Sequence, residues 1–183
     1  MNYLENYFNT IESDSEKQKI MDFFNKAGEK FFQNFDYRSI KNVVLPTTSS
    51  YETSQIFSTV AVAANNGFDI FIILTKNKNS AYNEISNEAL YKLHNFCVCT
   101  ENDFVRFQTN KMQKPVLLVL KKNSAVLKTW RNILLNCVFL HGRPLLIVNS
   151  SGDFSKGTKM FQYISDIKNC ANSCIIFKVT EAD

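Results

Sequence analysis

The spacing of apolar residues changes near residue 40. Before it, Ile20, Met21, Phe23, Phe24, Ala27, Phe31, Phe32 and Phe35 recur at helical intervals, behind a Ser13–Glu16 pair with the spacing of a capping box. After it, short apolar runs alternate with longer amphipathic stretches. The runs are Asn42–Leu45, Ile70–Thr75, Phe96–Cys99, Val116–Leu120, Leu145–Val148 and Cys174–Val179. Most are continuously apolar, as expected of parallel strands covered on both faces. Helices are expected over Thr53–Asn65, Asn79–Leu93, Ser124–Leu135 and Ser155–Ile167, the first stopped by Asn65-Asn66-Gly67. Strand and helix in this alternation predict a three-layer α/β domain, residues 39–183, behind an N-terminal helical segment, residues 1–38.

Ligands of such sheets bind beyond the carboxyl ends of the strands. The loops to watch are therefore Pro46–Glu52, Lys76–Asn79, Lys121–Ser124 and Asn149–Ser155. All are polar. Lys76, Lys78, Lys121 and Lys122 would share one rim, where lysines can hold nucleic-acid phosphates without reading sequence.

Composition narrows the classes. Of 183 residues, 45% are hydrophobic and only five are Gly and three Pro, which excludes a disordered or linker-rich chain. A net charge of +4 is too mild to demand an acidic partner. Five cysteines, mostly in or beside apolar runs, fit buried thiols in a reducing compartment better than disulfides. Cys97-Val98-Cys99 and Cys170…Cys174 lack the spacing and turn glycines of a structural zinc site, so no metal is expected. The two histidines, His94 and His141, form no recognisable catalytic set with Cys97 or Cys137. No basic leader or bilayer-length apolar run is present, so the expected location is cytoplasmic, without a membrane partner.

Four stretches carry a resemblance. Val43-Val44-Leu45-Pro46-Thr47-Thr48-Ser49 is similar to a strand entering a Walker A phosphate loop. Asn65 to Thr75 is similar to the second strand and the loop after it. Pro115 to Leu127, with Lys121-Lys122-Asn123 after an apolar strand, is the best match, and Pro144 to Val148 is similar to the strand leading into Walker B. In this order they resemble the Z-one domain, a helicase superfamily-two-like ATPase domain found with restriction and DNA-modification genes. The resemblance implies a RecA-like (P-loop NTPase-type), mainly parallel sheet. It also implies a nucleotide site at Pro46, Thr47, Thr48, Ser49, Ser50, Tyr51 and Glu52.

The departures from that family are chemical. Its loop reads Gly-Pro-Thr-x-Ser-Gly-Lys-Thr. Here Leu45 and Ser50 stand for the glycines, Tyr51 for the lysine and Glu52 for the metal-binding threonine. Its acidic cluster Asp-Asp-Glu-Ala-Asp falls on Asn149-Ser150-Ser151-Gly152-Asp153, which keeps only the last acid. A phosphate loop needs glycines to turn backbone N–H groups onto the phosphates, a lysine to neutralise them and a hydroxyl on the metal. One unit-charge repulsion from Glu52 at ~4 Å and an effective dielectric of about 20 costs roughly 4 kcal/mol, or about three decades of affinity. Ser151 replaces the water-positioning carboxylate, and losing a general base typically costs about 10²–10⁴-fold.

The expectation is a catalytically degenerate helicase-like domain, a pseudo-ATPase without cofactor or metal, acting as a binding or assembly module. Its setting would be nucleic-acid processing or phage–host conflict. A protein partner would meet the aromatic N-terminal helix or the sheet rim. The rivals are a divergent active nucleotide hydrolase and a sequence-independent nucleic-acid-binding domain.

Overall fold

A computed structural model describes residues 1–33, 41–47, 52–110, 113–138, 141–150, 157–171 and 173–181. Among the described residues the elements run α1 (Tyr3–Phe8), α2 (Asp14–Gln33), β1 (Lys41–Thr47), α3 (Glu52–Asn65), β2 (Ile70–Thr75), α4 (Asn79–Lys92), β3 (Cys97–Cys99), α5 (Phe104–Thr109), β4 (Val116–Lys121), α6 (Ser124–Leu135), β5 (Pro144–Asn149), α7 (Lys159–Cys170) and β6 (Ser173–Glu181). The strands form one six-stranded sheet in the order β1-β6-β5-β2-β4-β3, with every pairing parallel.

That order fixes which helix covers which face. The crossovers β1→β2 and β2→β3 step one way across the sheet, and the next three step back. With right-handed crossovers, α3 and α4 fall on one face and α5, α6 and α7 on the other. The cores agree. Phe71, Ile73, Leu117, Val119, Leu146 and Val148 pack with α3 and α4. The alternate residues Ile70, Ile72, Leu74, Leu118, Leu120, Leu145 and Ile147 pack with α5, α6 and α7. The fold is thus the expected three-layer α/β sheet of RecA-like type. As in RecA-like sheets, a single strand, β6, separates β1 from β5. These are the strands expected to feed the phosphate loop and Walker B.

α3 is buried on every side from Ser54 to Ala64: Ile56, Phe57 and Val60–Ala64 supply apolar surface all round, and the buried Ser58 and Thr59 hydroxyls are satisfied by donating to the Gln55 carbonyl at 3.1 and 2.7 Å. The sheet covers one flank. The other is covered by the N-terminal segment, where Tyr7 of α1, Ile11 of the connection, and Ile20 and Phe24 of α2 join the same core. The first part of the aromatic stripe is therefore internal packing. Phe31 and Phe32 lie further along α2, and Phe35 is outside the described residues.

Local signals act as their chemistry requires. Ser13 Oγ accepts from the Glu16 N–H at 3.3 Å. The Glu16 side chain does not close the capping box. It accepts from Ser54 Oγ and lies 4.0 Å from Lys92 Nζ, tying α2 to α3 and α4. α3 ends in a Schellman motif: Phe68 N–H donates to Ala63 O at 3.1 Å and Gly67 N–H to Ala64 O at 3.2 Å, with Gly67 at φ 88°. A Cβ at Gly67 would meet nothing within 4 Å. Gly67→Ala should therefore cost only the left-handed backbone penalty, about 1–2 kcal/mol, read as a lower urea midpoint. An unchanged midpoint would count against the motif. Among the described residues, no helix is long and apolar enough to cross a membrane.

Candidate functional site

The carboxyl ends of β2, β4 and β5 lie level: Thr75 aligns with Lys121, and Leu74 with Asn149. The crossovers leaving β2 and β5 go to opposite faces, so their adjacent tips form the switch point where α/β sheets open a crevice. In this protein the tips are tied to one another. Ser150 donates twice to the Leu74 carbonyl, through its N–H at 3.1 Å and its hydroxyl at 3.0 Å. Lys122 N–H donates to the Thr75 carbonyl at 3.0 Å, and the Thr75 hydroxyl lies 3.2 Å from Lys76 O. Thr75, Asn149 and Ser150 are all buried.

Beside these tips, Lys121 is held from three directions. Its Nζ is 3.0 Å from Glu101 Oε1, donates to Asn79 Oδ1 at 3.2 Å and sits 5.0 Å from the centre of the Tyr82 ring. The Glu101 backbone is fixed as well: its N–H donates to Tyr82 Oη at 3.1 Å, and its carbonyl accepts from Trp130 Nε1 at 3.0 Å. Glu101 Oε2 is buried without a hydrogen-bond partner. Asn123 caps α6, its Oδ1 accepting from Ala125 N–H at 2.9 Å and Val126 N–H at 3.4 Å. In the β3–α5 loop that also carries Glu101, Asp103 Oδ2 accepts from Thr100 N and Oγ1 at 2.8 and 2.7 Å. Burial acts to raise the Asp103 pKa, but the Thr100 bonds and Arg106 outweigh it and hold the carboxyl below its ordinary value. The stability this lends is present above the ordinary carboxylate pKa and is lost as pH falls through the lowered value.

The sequence-derived candidates fall in two groups. Lys76 and Lys78 are exposed on the β2–α4 turn, Lys121 ends the adjacent strand β4 and Lys122 follows it, so all four share one rim. Their environments differ, since the Lys121 charge is already matched by Glu101. Pro46 and Thr47 close β1, and Glu52 opens α3. β1 and β6 run on past the level of Asn149, which pairs with Lys178 and through it with Val44, so Pro46 and Thr47 stand beyond the other tips. Thr48, Ser49, Ser50 and Tyr51 lie outside the described residues, as do Ser151, Gly152 and Asp153.

Glu101, Tyr82 and Trp130 are site residues that sequence reasoning missed. Their hydrogen bonds span 19 to 29 positions, and no local spacing signals them. Elsewhere, His94 offers its carbonyl to Lys114 Nζ at 3.1 Å, and His141 Nε2 lies 3.3 Å from Leu135 O. Burial pushes the Cys174 thiol up to about 12 and, with the neighbouring Cys97, raises that of Cys99 further. Among the described residues no three His, Cys, Asp or Glu side chains gather into a metal-binding group. No family model, no curated protein and no solved structure matches this chain.

Proposed function

We propose that this chain is a catalytically degenerate, helicase-like domain similar to the Z-one domain, a pseudo-ATPase that serves as a binding or assembly module in nucleic-acid processing or phage–host conflict. The observation that carries this is at Ser150. In the family's pattern an acid stands there to help hold the metal. In this protein a hydroxyl stands there, and both it and the N–H are committed to Leu74 O. The neighbouring position is Asn149, a buried amide rather than a carboxylate. With Tyr51 and Glu52 in place of lysine and threonine, the pocket would lack cationic charge at the phosphates and acids at the metal.

Mg-ATP tests it. If affinity has fallen by three decades from micromolar to millimolar, about 1 mM ligand stabilises the fold by roughly 0.4 kcal/mol, and the melting temperature rises by less than about 2 °C. Micromolar binding would add about 4 kcal/mol and raise it by roughly 8–16 °C, which would overturn the proposal. Phosphate release abolished by Ser49→Ala would instead support a divergent hydrolase.

A second function, sequence-independent nucleic-acid binding, is favoured by the exposure of Lys76 and Lys78 on the rim. It requires an affinity that falls steeply with salt.

A further inference from the structure

Cys97 and Cys99 take no part in the rim. Alternation along β3 turns both toward the face covered by α5, and their sulfurs lie 3.8 Å apart. Cys99 is buried in the core that also holds Phe107 and Trp130, while Cys97 is half-buried with its Sγ 3.8 Å from the Arg106 carbonyl. We propose that this pair is a two-thiol binding site for a thiophilic centre that needs only two sulfurs from the protein, a trivalent arsenical or a soft d¹⁰ cation.

Separation is the first argument. Two bonds of about 2.3 Å to sulfur that meet at roughly 100–110° place the sulfurs about 3.5–3.8 Å from each other, so the pair already stands near the separation that chelation needs. A direct disulfide fits less well. It needs sulfurs at about 2.0 Å and Cβ atoms within about 4.5 Å, whereas alternate residues of a strand stand roughly 6.6 Å apart. β3 is also held in register with β4, Cys97 opposite Val116 and Cys99 opposite Leu118.

The second argument is what surrounds the sulfurs. The nearby Asp103 carboxylate is engaged by Thr100, and the Arg106 guanidinium donates to Val98 O at 3.0 Å. No third metal-binding side chain joins the pair among the described residues. A closed four-ligand zinc site is therefore not what this geometry offers. It suits a centre that brings its remaining ligand with it. With a monosubstituted arsenic(III) oxide, two As–S bonds form, both thiol protons pass to the oxygen, and that oxygen leaves as water. No electrons are exchanged.

The test is intact-mass spectrometry of the folded, reduced chain with one equivalent of phenylarsine oxide, and separately with cadmium. The expected result is one adduct per chain, heavier by the arsenical less one water and mapped to the peptide holding residues 97–99. Quenching of Trp130, the single tryptophan, should accompany it. Cys97→Ser, a change at a half-buried position, should weaken binding about a hundredfold or more by removing the chelate. Cys137→Ser and Cys170→Ser should leave it unchanged. Adduct and cadmium both lost in Cys97→Ser assign a general soft-centre site, and the arsenical alone assigns covalent dithiol capture. Binding that maps to Cys137, Cys170 or Cys174, survives Cys97→Ser, or is absent with both probes overturns the proposal.

Discussion

Trp130→Ala is expected to destabilise the protein by about 3–5 kcal/mol, the range for truncating a large buried aromatic. Trp130 is fully buried on the α6 face, with ring centres 5.2 Å from Phe104 and 5.5 Å from Phe107, the latter edge-on. Truncation opens a cavity between α5, α6 and the sheet. It also strips the Glu101 carbonyl of its indole donor. For a domain whose whole stability is about 5–15 kcal/mol, such a loss leaves little margin. Trp130→Phe keeps most of the volume and loses the hydrogen bond, so a cost nearer 1–2 kcal/mol is expected. Urea unfolding followed by far-UV circular dichroism measures both, because the substitution removes the only tryptophan. A loss below about 1.5 kcal/mol in the alanine variant would mean that the site collapses around the gap and that Trp130 does not anchor the rim.

How much of this could be read from the chain depends on whether the determining interactions are local. The run Ile70–Thr75 is β2 to the residue, because a strand buried on both faces must be apolar throughout and a polar loop must follow it. α6 matches Ser124–Leu135 because Asn123 supplies a cap and one face is strongly apolar. α7 begins at Lys159, later than the expected Ser155, because Gly157 turns at φ 84° and Thr158 Oγ1 caps the helix by accepting from Phe161 N–H at 3.2 Å. α5 escaped notice: it has six residues, too few to establish a helical period. The break between α1 and α2 was hidden for a similar reason, since Asn2 caps a first helix of only six residues.

Strand order was beyond local spacing altogether. Six similar apolar runs carry no signal of which neighbour each prefers, and RecA-like order entered only through the resemblance of four stretches of strand and loop. The same limit applies to the rim. Lysine positions are visible in sequence, but the acid that neutralises Lys121 is Glu101, on another loop. Ser150 stands where the resemblance leads one to expect an acid, but its double attachment to Leu74 leaves no trace in the sequence.

Lys121→Met is the substitution that separates structure from nucleic-acid binding at the rim. Both partners of the Lys121–Glu101 pair are largely covered, with side chains 18% and 17% exposed. Removing the ammonium leaves a carboxylate that already has one buried, unpartnered oxygen, with neither its cation nor ready access to water. Breaking a fully buried pair costs about 3–5 kcal/mol, and the residual exposure here lowers the expectation to about 2–3 kcal/mol. Glu101→Gln should cost less, because Lys121 keeps Asn79, the Tyr82 ring and a neutral acceptor. The double variant should recover part of the loss, since no orphaned charge remains. If the rim also binds nucleic acid, the affinity should reside in cations not already matched by the protein. Lys76→Glu and Lys78→Glu should then weaken binding and flatten its salt dependence by about one unit of slope for each phosphate no longer neutralised. Folded Lys121→Met should bind as the parent does. If instead Lys121→Met unfolds no more easily than the parent and weakens nucleic-acid binding as much as Lys76→Glu, then the Glu101 pair does not hold in solution and Lys121 belongs to the binding surface.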